Sequence, residues 1–269
     1  MPAAALKGLV RNVLERSDAG YRYLLRRRTG VTGPHGKPEA PWPCAVLKSQ
    51  HQVDEAMAQV RRLGLPPLAI DAKNWDSLAA LNAILAETKT TDPIFDAGGD
   101  WNSVILPWLA LYGYENLVMG NLEFEGTYRR GPITFEYADL TATKHPDNHF
   151  AAATCLSVIE HGVPLEAYFR EMARIVRPGG LLITSTDYYE TPIDTHGARA
   201  YGAPVHVFSR AEIEAALRLA GSFGFEQVAP LQLDSPETVV SWPEHGLRYT
   251  FIVFTLRKQA VRISESDKA

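Results

Sequence analysis

Cysteine is scarce in this chain. Cys44 and Cys155 are the only two among 269 residues, and they stand too far apart to suggest a disulfide framework or a paired-thiolate metal site. Long apolar runs are missing as well. No stretch approaches the roughly 18 consecutive apolar residues that a membrane span needs, and Leu6 to Leu14 is interrupted by Lys7 and Arg11, which leaves no apolar core for a secretory signal. Nor is there an excess of positive charge. The formal net charge of −4 argues against polyanion binding by the whole chain, and no internal repeat is visible. These absences lead us to expect a soluble protein of the reducing cytoplasm, without a nucleic-acid partner or a transmembrane segment.

What is present is ordinary globular material, 46% apolar and 22% charged, enough for one α/β domain and an appendage. The charge is uneven. Residues 1–30 carry Lys7, Arg11, Arg16, Arg22, Arg26, Arg27 and Arg28 against Glu15 and Asp18, a net of +5, which leaves −9 on the remainder. This basic segment reads as one or two amphipathic helices. Its cationic face is either simply solvated or a weak contact for anionic lipid or a phosphorylated acceptor.

Residues 30–43 are rich in Gly and Pro and read as a loop. Val53, Met57 and Val60 mark one helical face, and Leu78, Leu81, Ile84 and Leu85 mark another that Asn74 or Asp76 is placed to cap. Residues 1–90 are therefore expected to form a helical lead-in without strands. From residue 93 short apolar runs alternate with helical patterns. Ile94–Ala97, Leu117–Met119, Ile133–Ala138, Phe150–Leu156 and Leu181–Ser185 read as strands; Trp101–Tyr112, Leu165–Val176 and Arg210–Ala220 read as helices, the last with Ser209 at its cap. Two final strands, Phe225–Leu231 and Tyr249–Leu256, lack a helix between them and suggest an antiparallel edge. The alternation predicts a doubly wound, mostly parallel seven-stranded α/β sheet over residues 91–257, with a polar tail over 258–269.

In such sheets ligands sit beyond the carboxyl ends of the strands. The first loop there reads Asp96-Ala97-Gly98-Gly99-Asp100-Trp101-Asn102-Ser103. Glycines let a backbone approach a ligand, and a helix follows. This segment resembles the D-x-G-x-G-x-G loop of class I S-adenosylmethionine-dependent methyltransferases, of the type 11-like kind. Asp139 resembles that family's acidic residue near the adenine, Phe150 to His161 its fourth strand and "EH" segment, and Met172 to Ile183 its helix, R/K-P-G-G turn and fifth strand. The Pro178-Gly179-Gly180 turn is the most specific match. The matches run in order from residue 93 to about 257.

The resemblance implies S-adenosyl-L-methionine as cofactor. Its site would comprise Asp96, Gly98, Gly99, Asp100, Asn121, Leu122, Asp139, Leu140, Leu156 and Ser157. Two departures stand out. The family's second and third loop glycines fall on Asp100 and Asn102, and the acid that usually holds the ribose hydroxyls is replaced by Asn121, with Glu123 as the alternative if the chain bends back. The Asn-Leu strand end and the segment Trp101 to Gly113 also resemble a bacterial subgroup linked with surface sugar or polysaccharide assembly. Polar residues on the same rim supply candidates for chemistry. His161, Asp187 and His196 are expected as catalytic bases for a hydroxyl acceptor, and Tyr188, Tyr189 and His206 as substrate contacts, within or beside a loop long enough to act as a lid. Asp194, His196 and His206 lack a metal-ligand spacing, and no metal is expected. The expected activity is O-methylation of a small-molecule or glycan-like acceptor. The rival is a non-catalytic binding or regulatory protein on the same scaffold. A nicotinamide fingerprint would need glycines at 98, 100 and 103, and only Gly98 complies.

Overall fold

Ile94–Ala97 (β2) is buried along its whole length, and Phe150–Leu156 (β6) is buried up to its last residue, the mark of inner parallel strands covered on both faces. The computed structural model describes residues 13–40, 42–234 and 237–260. The amphipathic pattern read at Leu9 and Val10 and the tail beyond residue 260 lie outside them. The remaining strands are Cys44–Val46 (β1), Leu117–Asn121 (β3), Tyr128–Arg130 (β4), Ile133–Tyr137 (β5), Val176–Tyr189 (β7), Arg199–Ala200 (β8), Ala203–Pro204 (β9), Phe208–Ser209 (β10), Phe225–Gln227 (β11), Val240–Trp242 (β12) and Leu247–Lys258 (β13). The order across the main sheet is β1-β13-β7-β6-β2-β3-β5-β4. The run β7-β6-β2-β3-β5 is parallel, whereas β13 is antiparallel to β7 and to β11. The seven expected strands are all there, joined by the short β1, β4, β10 and β12.

The helices are Asp18–Thr29 (α1), Gln50–Leu63 (α2), Lys73–Glu87 (α3), Ile105–Leu111 (α4), Leu165–Ile175 (α5) and Arg210–Ser222 (α6). On one face α2, α3 and α4 bring Val60, Leu78, Leu81 and Trp108 against the sheet. On the other, α5 and α6 bring Tyr168, Phe169, Met172 and Ile213. Each such fully buried side chain stabilises the fold by about 1.5–3 kcal/mol. The Ser209 cap forms a complete capping box with Glu212.

Several expectations are corrected. The lead-in is not free of strands, because β1 pairs with β13 from Cys44↔Phe254 to Val46↔Ile252 and so joins the main sheet. Neither Asn74 nor Asp76 caps α3. Asn74 Oδ1 accepts from the Leu68 amide at 2.9 Å, ahead of the helix, and Asp76 is buried against β7. The helix read from Trp101 begins only at Ile105, because Asp100 closes a tight turn first. β7 is longer than Leu181–Ser185. It starts at Val176, shifts register between Phe150 and Ala152, and passes Gly180, whose added Cβ would lie 2.8 Å from the Ala151 carbonyl oxygen. The Pro-Gly-Gly turn is thus a bulge within the strand. β11 stops at Gln227 rather than Leu231.

Candidate functional site

The chain leaves β2 through Gly98, whose φ of 84° suits glycine. A Cβ there would come within 2.6 Å of Val158, and one on Gly99 within 2.1 Å of the Asp96 carboxyl. Backbone passes directly over these two side chains, which leaves no room for a Cβ at either position. Asp96 is itself buried. Its Oδ1 accepts from Thr154 Oγ1 at 2.7 Å, and its Oδ2 has no hydrogen-bond partner within the described residues. Burial pushes this carboxyl up to about 7, the Asp100 carboxylate adds to the rise, and the Thr154 bond opposes it.

Asp100 and Asn102, where the resembled family has glycines, fold the loop onto itself. Asp100 Oδ1 accepts from the amides of Asn102 at 2.7 Å and Ser103 at 3.0 Å, and the Asp100 amide donates to Ser103 Oγ at 2.9 Å. Asn121 is committed to the same loop. Its Nδ2 donates to the Gly98 and Gly99 carbonyls, each at 3.0 Å, and its Oδ1 accepts from the Glu123 amide at 2.9 Å. Both amide hydrogens of Asn121 are thereby used within the loop, which leaves its Oδ1 as the atom open to a further bond. The chain turns after Asn121, whose carbonyl accepts from the Phe124 amide at 3.4 Å, and Glu123 is exposed on that turn. The Ala138 amide donates to the Asn121 carbonyl at 3.2 Å, so Asp139 follows one residue beyond the same rim. Asp139 is exposed and accepts from the Thr141 amide and hydroxyl at 2.9 and 2.6 Å. Leu122 is 61% exposed, Leu140 is buried, and Leu156 is half-buried. Ser157, at φ 55°, donates its amide to the Ser185 carbonyl at 3.0 Å. Asn121 thus ties Gly98 and Gly99, Asp96 lies beneath Gly99, and Asp100 closes the turn that follows.

A second polar cluster lies at the ends of β6 and β7. Asp76 Oδ2 accepts from Ser185 Oγ at 2.5 Å, Glu160 Oε2 accepts from Thr186 Oγ1 at 3.0 Å, and Asp187 accepts from the Tyr249 hydroxyl. All three carboxyls are buried, and burial raises them: Asp76 to about 6, Asp187 to about 7, and Glu160 well above the ordinary range with further help from Asp187. The Lys73 ammonium opposes each rise. His161 is shifted down, first by desolvation and then by Lys73. Its Nδ1 has no hydrogen-bond partner within the described residues, and its ring meets Tyr201 edge-on at 5.3 Å. The Lys73 charge thus acts on both His161 and Asp187.

His196 is exposed, at φ 51°, and pairs with Asp194 at 3.2 Å. His206 Nε2 lies 3.0 Å from Glu212 Oε1, and among the described residues no metal-holding group includes either histidine. Tyr188 corrects the expectation of a rim residue. It is fully buried and donates its hydroxyl to the Leu233 carbonyl at 3.0 Å, while Tyr189, one residue on along the strand, is half-buried. The loop over residues 190–207 touches the cluster where the His206 amide donates to the Glu160 carbonyl at 2.9 Å. Sequence reasoning missed Lys73, Asp76, Glu160 and Tyr249. The available signal was the run Lys73-Asn74-Trp75-Asp76-Ser77, polar groups set into a helix whose next residues, Leu78 to Leu81, are all buried.

The sheet order is that of a Rossmann-like methyltransferase fold. Residues 117–184 match a family model described as a methyltransferase domain. No curated protein matches it. Among solved structures it is similar to an S-adenosylmethionine-dependent methyltransferase from Mesorhizobium loti, at 20% identity over 69% of this chain and 98% of that one, TM-score 0.50. It is also similar to a geranyl diphosphate methyltransferase in complex with its cofactor, at 14% identity over 78% and 91%, TM-score 0.50. A third is the cyclase SpnF, at 15% identity over 78% and 94%, TM-score 0.50. At these identities the likeness is one of fold.

Proposed function

We propose that this protein transfers a methyl group from S-adenosyl-L-methionine to a hydroxyl of a small-molecule or glycan-like acceptor. The observation that carries the reading is the glycine loop. Gly98 and Gly99 leave a cradle that a Cβ would fill, over an Asp96 carboxyl with an unpartnered oxygen. Residues 98–100 and Asp96 would hold the amino-acid end of the cofactor, Leu122, Asp139, Leu140, Leu156 and Ser157 its adenosyl end, and Glu123, in place of Asn121, the ribose hydroxyls. The bound cofactor supplies a methyl group on a sulfonium, whose departure leaves a neutral thioether.

What the protein adds is alignment of the acceptor and a place for its proton. His161, shifted down, is in its base form at neutral pH and has a free ring nitrogen. Lys73 would hold part of the neighbouring Glu160 and Asp187 carboxyl cluster ionised. The exposed His196 and His206 are better suited to the covering loop than to proton transfer.

The rival reading is a binding or regulatory protein on this scaffold. It draws on Asp100 and Asn102 occupying glycine positions, and on a fold that also serves a cyclase. Calorimetry of the full chain with S-adenosylmethionine separates the two. The enzyme reading expects one-to-one binding, weakened about tenfold by Glu123→Gln through loss of a charge-assisted bond and at least as much by Gly99→Ala. Absence of heat at millimolar cofactor would favour the rival.

A further inference from the structure

The parallel neighbours β3 and β5 are joined by residues 122–132, which hold β4 but no helix. Parallel strands are ordinarily joined by a crossover helix that covers their outer face. Here that face is covered by other means. Trp101 stacks on Tyr128 and Phe135 at 5.5 and 5.1 Å, with Phe124 edge-on at 5.3 Å. The basic helix α1 lies alongside, held by Arg22 Nε donating to the Ala110 carbonyl at 2.7 Å and by Arg129 pairing with Asp18 at 3.3 Å. This cover is incomplete. Between α1, Pro66-Pro67 and residues 100–104 it leaves a cavity of about 590 Å³, within the size range of small-molecule sites.

The cavity is distinct from the rim described above. Of the cofactor candidates only Asp100 lines it, and neither His161 nor Asp187 does. Its walls are apolar, with Leu24, Val104, Met119 and Phe135 among them, and Trp101, 57% exposed, also lines it. Its charged lining consists of Arg27, Arg28 and Arg130 against Glu15 and Asp100, three cations to two anions. Arg130 is paired with Glu15 at 3.3 Å and lies over the Trp101 ring at 5.7 Å. The Asp100 carboxylate accepts from its own loop amides. Arg27 and Arg28 remain. Both are exposed, and neither has a carboxylate partner among the described residues. An apolar chamber with two uncompensated guanidinium groups suits an apolar body that carries an anionic group.

We infer that this cavity is a ligand site for a small organic anion, its apolar body against Trp101 and Met119 and its phosphate, carboxylate or sulfonate at Arg27 and Arg28. Such a ligand would touch residues 100–104 from the side opposite the rim.

The test is a fluorescence titration of the full chain, without added cofactor, using 8-anilinonaphthalene-1-sulfonate and its uncharged analogue N-phenyl-1-naphthylamine. We expect saturable one-to-one binding of the sulfonate. The double variant Arg27→Ala/Arg28→Ala should weaken it about tenfold and leave the uncharged analogue unaffected. Leu24→Trp, at a half-buried lining position, should block both probes while the melting temperature stays within a few degrees of the parent. Sulfonate binding that is absent in the parent, or unchanged in both variants, would overturn the site. Because no cofactor is present, the result is independent of whether the methyl-transfer reading holds. Titration with phenyl phosphate and with benzoate as competitors then tells which anionic group is preferred.

Discussion

His161 shows how one side chain takes its character from neighbours distant in sequence. Desolvation and the Lys73 ammonium, 88 residues earlier, both disfavour its charged form. A lowered imidazole is a base over the neutral range and loses that capacity only when the pH falls through its depressed value. Lys73→Met should therefore move the His161 titration upward, toward but not reaching the usual 6.5, because the larger contribution, burial, remains. Two-dimensional NMR of the imidazole resonances against pH measures this directly, without any acceptor. An unmoved titration would mean that Lys73 does not act on His161. Asp96 illustrates the complementary case. Its oxygen is buried beneath Gly99 because backbone crosses it, and no property of an aspartate by itself announces that.

Elements were legible where local rules decide them. α6 begins where a Ser followed three residues later by Glu says it should, and the reciprocal bonds at Ser209 and Glu212 are both present. Ser209→Ala is expected to cost about 1 kcal/mol of stability, read from urea denaturation at unchanged slope. α5 and the Pro178-Gly179-Gly180 turn were legible for the same reason, although the turn proved to be a bulge inside β7. β1 was not legible. Cys44-Ala45-Val46 is only three residues long and is a strand because β13 offers it a partner. The start of α4 was missed because the Asp100 side chain satisfies the loop amides before the helix can begin.

At the scale of the whole molecule, α3 drives Lys73 and Asp76 into the carboxyl end of the sheet, where Asp76, Asp96 and Asp187 are buried together with Glu160. Asp76, Asp96 and Asp187 are raised from 3.8 to about 6, 7 and 7. A carboxyl that binds its proton more tightly when folded stabilises the fold fully below its unfolded value and loses that contribution as pH rises through its folded value. Thermal melting should accordingly decline between about pH 4 and pH 8. Asp96→Asn, which stays neutral, should flatten that decline and raise the melting temperature at pH 8 relative to the parent. The sequence by itself determined the class of fold, the positions of the inner strands, the turn after Ala97 and the Ser209 cap, because each follows from periodicity, turn chemistry or a short motif read over a few residues. Only the tertiary structure decided that Asn121 ties the loop, that Tyr188 points into the core, that Lys73 acts on both His161 and Asp76, and that α1 closes over a chamber beside β3 and β5. Those outcomes depend on which distant surfaces meet, and on what each buried polar group finds there to bond.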